Sequence, residues 1–166
     1  MSVPTEQRSL SPTQFLDTAE ELAIFSMEKC KKFPKRYSRE ITEDIRKAAV
    51  SVMTNTKRGN SVYVKTQKDA ELRRRYMMQA YCDCEALVSL VKLAHGLFPL
   101  CGYLNRDEDG NRLKKDLSED EKKELQRREA AKSAKILQQW SAVLYEELEL
   151  IRKQLNSEWE RYKNIK

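Results

Sequence analysis

The chain of 166 residues has the length of one domain, which can bury a hydrophobic core without disulfides or structural metals. Only four glycines and four prolines occur, and residues that favour helices dominate, so the composition predicts an all-α fold. No apolar run approaches the roughly 20 residues of a membrane span. We therefore expect a cytoplasmic protein with no membrane partner.

The positive charge is concentrated in one part of the chain. The formal net charge is +6, and residues 28–75 contain 15 Lys and Arg against 6 Asp and Glu. Residues 1–27 are net negative, and residues 76–166 are balanced. A concentration of cations is typical of nucleic-acid binding, because each cation that neutralises a phosphate releases counterions. The alternative is that these side chains form an ordinary solvated helix surface.

The N-terminal quarter predicts a short arm and one helix. Residues 1–10 lack the apolar segment of a signal peptide and are expected to form a disordered arm. Ser11 is a candidate helix cap, with Pro12 at the first helical position and Gln14 completing a capping box. Phe33-Pro34 is expected to end this helix.

Two further helices are predicted before residue 100. The second starts after the candidate cap Ser38 and ends near Gly59, because glycine commonly follows the last helical residue. The third starts at Thr66 or Asp69 and ends at His95, just before Gly96. The apolar stripe of the third helix is predicted to contain Leu72, Tyr76, Ala80, Leu87, Val91 and Ala94.

The fourth helix is predicted to be the longest. Residues 118–121 form a capping box, and the pattern becomes amphipathic only from Ile136 onward. If unbroken to Tyr162, it would span about 67 Å, so we expect its N-terminal part to project, fray or bend. Residues 103–128 are interpreted as a polar extension. Together residues 11–166 predict an antiparallel up-down-up-down four-helix bundle with a long fourth helix.

The candidate nucleic-acid contacts fall into two groups in this bundle. The end of the first helix and the start of the second share one pole, whereas Lys57–Arg58 and Arg73–Arg75 share the opposite pole. The preferred contacts are Arg46, Lys47, Lys57, Arg58, Arg73, Arg74 and Arg75. The second cluster contains Lys31, Lys32, Lys35 and Arg36.

Catalytic and metal-binding patterns are weak. Cys82 and Cys84 are two positions apart and would point in different directions on a helix, so we expect reduced structural thiols, not a zinc site. Residues 105–116 resemble a calcium loop but depart from its pattern, which favours a simple turn. Glu146, Glu147 and Glu149 are interpreted as a solvated face. We expect no enzyme activity, cofactor or metal.

Several segments are similar to a known bacterial family. They are Phe33-Pro34-Lys35, the run Ile41-x3-Ile45-Arg46-Lys47-Ala48-Ala49-Val50-Ser51-Val52, then Asn55, Gly59 and Arg73-Arg74-x-Tyr76-x3-Ala80, followed by Leu87. The chain resembles the four-helix-bundle family of 23S rRNA intervening-sequence proteins. This family includes the accessory variability determinant of diversity-generating retroelements.

The resemblance implies a homopentamer with a basic surface for RNA or DNA. In the retroelement branch, found in bacteria and phages, it also implies a reverse transcriptase partner that carries out mutagenic cDNA synthesis. Residues 53–59 correspond to a segment that contains one acid in the intervening-sequence members and here contains the two cations Lys57 and Arg58, which favours the retroelement branch. The alternative is a structural homo-oligomeric interaction module without a specific nucleic-acid role.

Overall fold

The computed structural model describes residues 13–31, 41–97 and 118–163, and within them every regular element is a helix. The helices are α1 (Gln14–Cys30), α2 (Thr42–Ser61), α3 (Gln67–Leu97) and α4 (Glu119–Tyr162). The predicted all-α class is therefore confirmed. The predicted arm, residues 1–10, and the first part of the predicted polar extension, residues 103–117, lie outside the described residues.

A single apolar core joins the four helices. Leu22 of α1, Ile45 of α2, Leu87 of α3, and Trp140 and Ile151 of α4 are all almost completely buried. Burial of each such side chain contributes about 1.5–3 kcal/mol. None of the described helices combines the length and apolar character that crossing a membrane requires.

Each helix packs on its neighbour in the chain, and α1 also packs on α4. Cys30, at the end of α1, contacts Thr42 at the start of α2. Asn60, at the end of α2, contacts Arg73 near the start of α3. Phe25 of α1 packs edge-on against Trp140 of α4. The helices are therefore held side by side around their shared core.

The start of α1 differs slightly from the prediction. The helix begins at Gln14 and not at Pro12, and it ends at Cys30. The proposed cap Ser11 and the proposed stop Phe33-Pro34 lie outside the described residues, as does the proposed cap Ser38 of α2. The first helical residue of α2 is Thr42.

The predicted end of α2 near Gly59-Asn60 is confirmed, since the last helical residue is Ser61, but Gly59 itself lies inside the last turn. Gly59 is buried against α3, and a Cβ atom there would lie 2.9 Å from the Cε of Met77. Glycine is thus required by the close approach of two helices and not by a helix end. Val62 adopts an extended conformation and starts the connection to α3.

The connection between α2 and α3 is fixed by hydrogen bonds around Asp69. Its Oδ2 accepts hydrogen bonds from the backbone N–H groups of Lys65 and Thr66 and from the Thr66 hydroxyl. These bonds lower the pKa of Asp69. In return, the Thr66 hydroxyl oxygen accepts from the N–H of Asp69, which caps α3. The helix then runs through Gly96 to Leu97.

The predicted capping box of α4 is confirmed. Ser118 and Glu121 exchange hydrogen bonds between side chain and backbone, and the helix then continues for 44 residues, about 66 Å. Its side chains before Trp140 that the structure describes are exposed or half-buried. Tertiary packing therefore holds mainly the C-terminal half of α4.

Candidate nucleic-acid interface

A shallow groove of about 440 Å³ runs along the outer face of α2. Its cations are Arg46 and Lys47 at one end and Arg58 at the other. Positions 46, 50, 54 and 58 share one face because they are spaced four residues apart. The buried residues Ile45, Ala49 and Val52 lie on the opposite face. This surface, named here the α2 groove, is lined by Arg46, Lys47, Val50, Ser51, Thr54, Asn55 and Arg58.

The cations of the α2 groove are accessible. Arg46, Lys47 and Arg58 are all exposed. Within the described part of the chain, no carboxylate forms a salt bridge with Arg46 or Arg58. Lys47 Nζ lies 2.7 Å from Glu43 Oε1, which raises the pKa of Lys47 and lowers that of Glu43. Such an exposed pair is weak, so a phosphate could replace the Glu43 carboxylate.

The floor of the α2 groove is held by Asp83 of α3. Asp83 Oδ2 accepts a hydrogen bond of 2.6 Å from the Ser51 hydroxyl and one of 3.0 Å from Asn55 Nδ2. Gln79 Nε2 donates to the other carboxylate oxygen, Oδ1. Ser51 and Asn55 are therefore fixed in position next to the cations. Sequence reasoning missed this network, because Asp83 lies on α3 whereas Ser51 and Asn55 lie on α2, and no sequence spacing connects the two helices.

Two other predicted contacts lie near α2 but outside the groove. Lys57 faces α1, where its Nζ lies 2.7 Å from Glu20 Oε2. Lys31 is exposed just after the end of α1. The remaining members of the predicted second cluster, Lys32, Lys35 and Arg36, lie outside the described residues.

The three consecutive arginines of α3 have different environments. The Arg73 side chain is only 15% exposed, and its Nε lies 3.0 Å from Oε2 of Glu158. Its Nη1 donates to the carbonyl oxygens of Asn60 and Val62. Arg74 is half-buried, with its guanidinium carbon 5.2 Å from the centre of the Trp159 ring, and Arg75 is exposed. The position of Arg73 thus fits a structural ion pair and not the predicted surface contact.

Three of the preferred contacts predicted from the sequence, Arg46, Lys47 and Arg58, line the same groove. Arg58 lies twelve positions after Arg46, which corresponds to about 18 Å along α2. These three cations therefore form a row along one helix.

The thiols and carboxylates are the side chains of this protein best suited to bind a metal ion. Cys82 is exposed whereas Cys84 is buried, as expected for two positions on one helix. Among the residues that the structure describes, no three His, Cys, Asp or Glu side chains are arranged to hold a metal ion. Cys101 and the calcium-loop-like residues 105–116 lie outside those residues.

The interpretation of Glu147 as a solvated residue is wrong. Its side chain is completely buried, and neither carboxylate oxygen has a hydrogen-bond partner among the residues that the structure describes. Burial, and to a lesser extent the charge of Glu146, raises the pKa of Glu147 to about 8. The residue lies at a core position of α4, between the buried Leu144 and Ile151.

Comparison with known proteins gives no match: no protein-family model, curated protein or solved structure matches the chain significantly. The resemblance to the intervening-sequence family therefore stays a prediction. The described residues define an all-helical protein with a row of accessible cations on the outer face of one helix.

Proposed function

We propose that this protein is a non-enzymatic accessory protein that binds nucleic acid through the α2 groove. The observation that carries the proposal is the row of Arg46, Lys47 and Arg58 along the groove, with the Thr54 side chain also in its lining. Arginine and lysine neutralise phosphates, and a threonine hydroxyl can donate a hydrogen bond to a phosphate oxygen. The partner is RNA or DNA, contacted mainly through its backbone.

The dimensions of the α2 groove suit this role. Each strand of a duplex presents a phosphate about every 3.4 Å along the helix axis. A row of cations about 18 Å long therefore faces roughly five phosphates of one strand. Binding of this kind is mostly independent of sequence, because the contacts do not reach the base edges.

The biological setting of the proposal is a diversity-generating retroelement of a bacterium or phage. There the protein would act in the cytoplasm with a reverse transcriptase, by binding RNA or cDNA during mutagenic reverse transcription. This part rests on the resemblance of residues 41–52 and their neighbours to the accessory variability determinant. Co-purification of the tagged protein with the reverse transcriptase of a retroelement tests it.

The proposed architecture is an up-down-up-down four-helix bundle that assembles into a homopentamer. The bundle is supported by end-to-start contacts at two junctions, Cys30 with Thr42 between α1 and α2 and Asn60 with Arg73 between α2 and α3. The pairing of Arg73 with Glu158 supports the same arrangement for α3 and α4. A ring would repeat the α2 groove in each subunit and so multiply its charge.

Binding measured at several salt concentrations tests the role of the α2 groove. If its three cations each contact a phosphate of duplex DNA, log K should fall with log salt with a slope of about −2.7. Arg46→Ala and Arg58→Ala should each reduce the slope by about 1 and weaken binding to all sequences alike. Lys153→Ala removes an exposed cation from α4 and is the matched control. Affinity that is absent or independent of salt contradicts the proposal.

A structural interaction module is the second candidate function. It is favoured by large apolar side chains at the surface, such as Ile24 and Leu93, each 54% exposed. Single exposed apolar residues are common on proteins, so this observation is weaker than the row of cations. An oligomer in solution that fails to shift RNA or DNA in a gel would favour the interaction module.

A further inference from the structure

One end of the helix assembly carries two exposed aromatic rings, each accompanied by a cation. Trp159, near the end of α4, is 56% exposed, and the guanidinium carbon of Arg74 lies 5.2 Å from its ring centre. Tyr63, in the connection between α2 and α3, is 79% exposed, and Lys65 Nζ lies 5.5 Å from its ring centre. A single exposed aromatic residue is common on proteins, whereas two at one end of the molecule, each beside a cation, form a distinctive surface.

Both rings lie next to the buried ion pair between Arg73 and Glu158. Trp159 follows Glu158, and Arg74 follows Arg73, so both lie directly beside the buried ion pair. Tyr63 follows Val62, whose carbonyl oxygen accepts a hydrogen bond from Arg73. The ion pair therefore holds both aromatic residues at a fixed position on this end of the molecule.

Each ring borders a pocket. The pocket beside Trp159 has a volume of about 310 Å³ and is also lined by Gln67, Glu71, Arg74 and Lys163. The pocket beside Tyr63 has a volume of about 350 Å³, and Arg73 and Arg161 contribute to its wall. Both volumes lie at the small end of the range for ligand sites, about 300–1,000 Å³. Each pocket is large enough for a planar ring to lie against the aromatic side chain.

The charge around the rings favours an anionic ligand. Two of the carboxylates at this end already have partners, because Asp69 accepts the capping hydrogen bonds and Glu158 pairs with Arg73. Glu71 keeps its negative charge, because its Oε1 accepts a hydrogen bond of 3.4 Å from the neutral Gln67 amide, but in the same pocket it faces the two cations Arg74 and Lys163. Arg74, Lys65 and Lys163 surround the rings with positive charge.

We infer that this end of the protein binds unpaired nucleotides, whose bases stack on Trp159 and Tyr63 while Arg74, Lys65 and Lys163 contact their phosphates. Aromatic rings and arginine planes both stack on unpaired bases, and the combination with a cationic surface is typical of single-strand binding. The inference rests on the proposed nucleic-acid function and names a class of substrate for it. The α2 groove contacts backbone phosphates, whereas the aromatic end distinguishes single strands from duplexes.

Intrinsic fluorescence can test the inference because only one of the two tryptophans is accessible. Trp140 is buried and Trp159 is exposed, so a stacked base should quench Trp159 alone. We expect quenching by short oligouridylate and oligodeoxythymidylate, and comparison of the two separates RNA from DNA. Because variants at position 159 lose this signal, their affinities are compared by gel shift: Trp159→Leu and Tyr63→Leu should each weaken single-strand binding about tenfold, whereas Trp159→Phe should retain most of it.

Matched controls separate stacking from a general loss of structure or charge. Tyr145→Leu removes an aromatic ring that is 57% exposed in the middle of α4, and its single-strand affinity should equal that of the wild type. Duplex affinity should be unchanged in Trp159→Leu. If duplex binding persists but Trp159→Leu and Tyr63→Leu behave like Tyr145→Leu, the stacking inference is overturned and the groove proposal stands. If neither single strands nor duplexes bind, both proposals are overturned.

Discussion

Arg73 of α3 and Glu158 of α4 form an ion pair in which Nε lies 3.0 Å from Oε2, with the two side chains only 15% and 3% exposed. The N–H of Arg73 Nε does not point at Glu158 Oε2 well enough to form a hydrogen bond, so the attraction is mainly between the two charges. The other Glu158 oxygen accepts from Gln154 Nε2, and Arg73 Nη1 donates to two carbonyls of the α2–α3 connection. One arginine thus joins α3, α4 and the end of α2.

Removal of either partner should destabilise the protein. Arg73→Met leaves Glu158 as a buried charge without a counterion, which costs about 3 kcal/mol of unfolding free energy. Arg75→Met, on the exposed side of the same helix, should change stability by less than about 0.5 kcal/mol. Chemical denaturation of both variants measures the difference. Equal stability of the two variants would show that the ion pair contributes nothing.

The three arginines also show how far sequence reasoning reaches. Their position on a helix was predictable, but consecutive helical residues point about 100° apart, so a run of like residues need not form one surface. The predicted apolar stripe of α3 included Leu72 and Tyr76, whereas Leu72 is exposed and Met77 is buried. Only the positions of α2 and α4 determine which side of α3 faces the core. The sequence predicted which cations α2 carries, but it did not predict that they line one groove with Val50, Ser51, Thr54 and Asn55.

Gly59→Ala and Gly96→Ala are expected to have opposite effects on stability. Both glycines lie inside helices, where alanine is favoured by about 1 kcal/mol. A Cβ at Gly59 would meet Cε, Sδ and Cγ of the buried Met77 at 2.9, 3.2 and 3.3 Å, so we expect overpacking to outweigh this gain and a net loss of about 1 kcal/mol. At Gly96 an added Cβ meets no atom of another described residue within 4 Å, and the substitution should stabilise the helix. Thermal unfolding of the two variants tests this, and a stabilised Gly59→Ala would show that Met77 moves aside freely.

The cysteines should differ in reactivity. Cys82 is exposed, whereas Cys30 and Cys84 are buried. Burial raises the pKa of Cys30 to about 11, and it also raises that of Cys84, where the nearby charge of Glu147 acts in the same direction. In a Cys101→Ser variant at pH 8, a thiol reagent should therefore modify Cys82 rapidly and the other two only after unfolding. Rapid modification of Cys30 or Cys84 in the folded protein would contradict the packing of α1 or α3.

The buried Glu147 should make stability depend on pH in an unusual direction. Its pKa is about 8 in the folded protein against an ordinary value of 4.5. Between these values the folded protein keeps a proton that the unfolded chain has released, so the free energy of unfolding falls as pH rises. The slope from this group is at most about 1.4 kcal/mol per pH unit. Most carboxylates stabilised by partners have the opposite effect, because their pKa is lowered on folding.

Glu147→Gln isolates this contribution, because glutamine has nearly the same shape and does not titrate. Below about pH 4.5 the unfolding free energies of wild type and Glu147→Gln should differ by a nearly constant amount. Between about pH 4.5 and pH 8 the wild type should lose stability relative to the variant as the pH rises. Subtraction of the two curves removes the contributions of all other titrating groups. Glu149→Gln, at an exposed position four residues before Lys153, should show no such change. A constant difference across the whole pH range would mean that Glu147 is ionised in the folded protein, with a counterion or water in the core of α4.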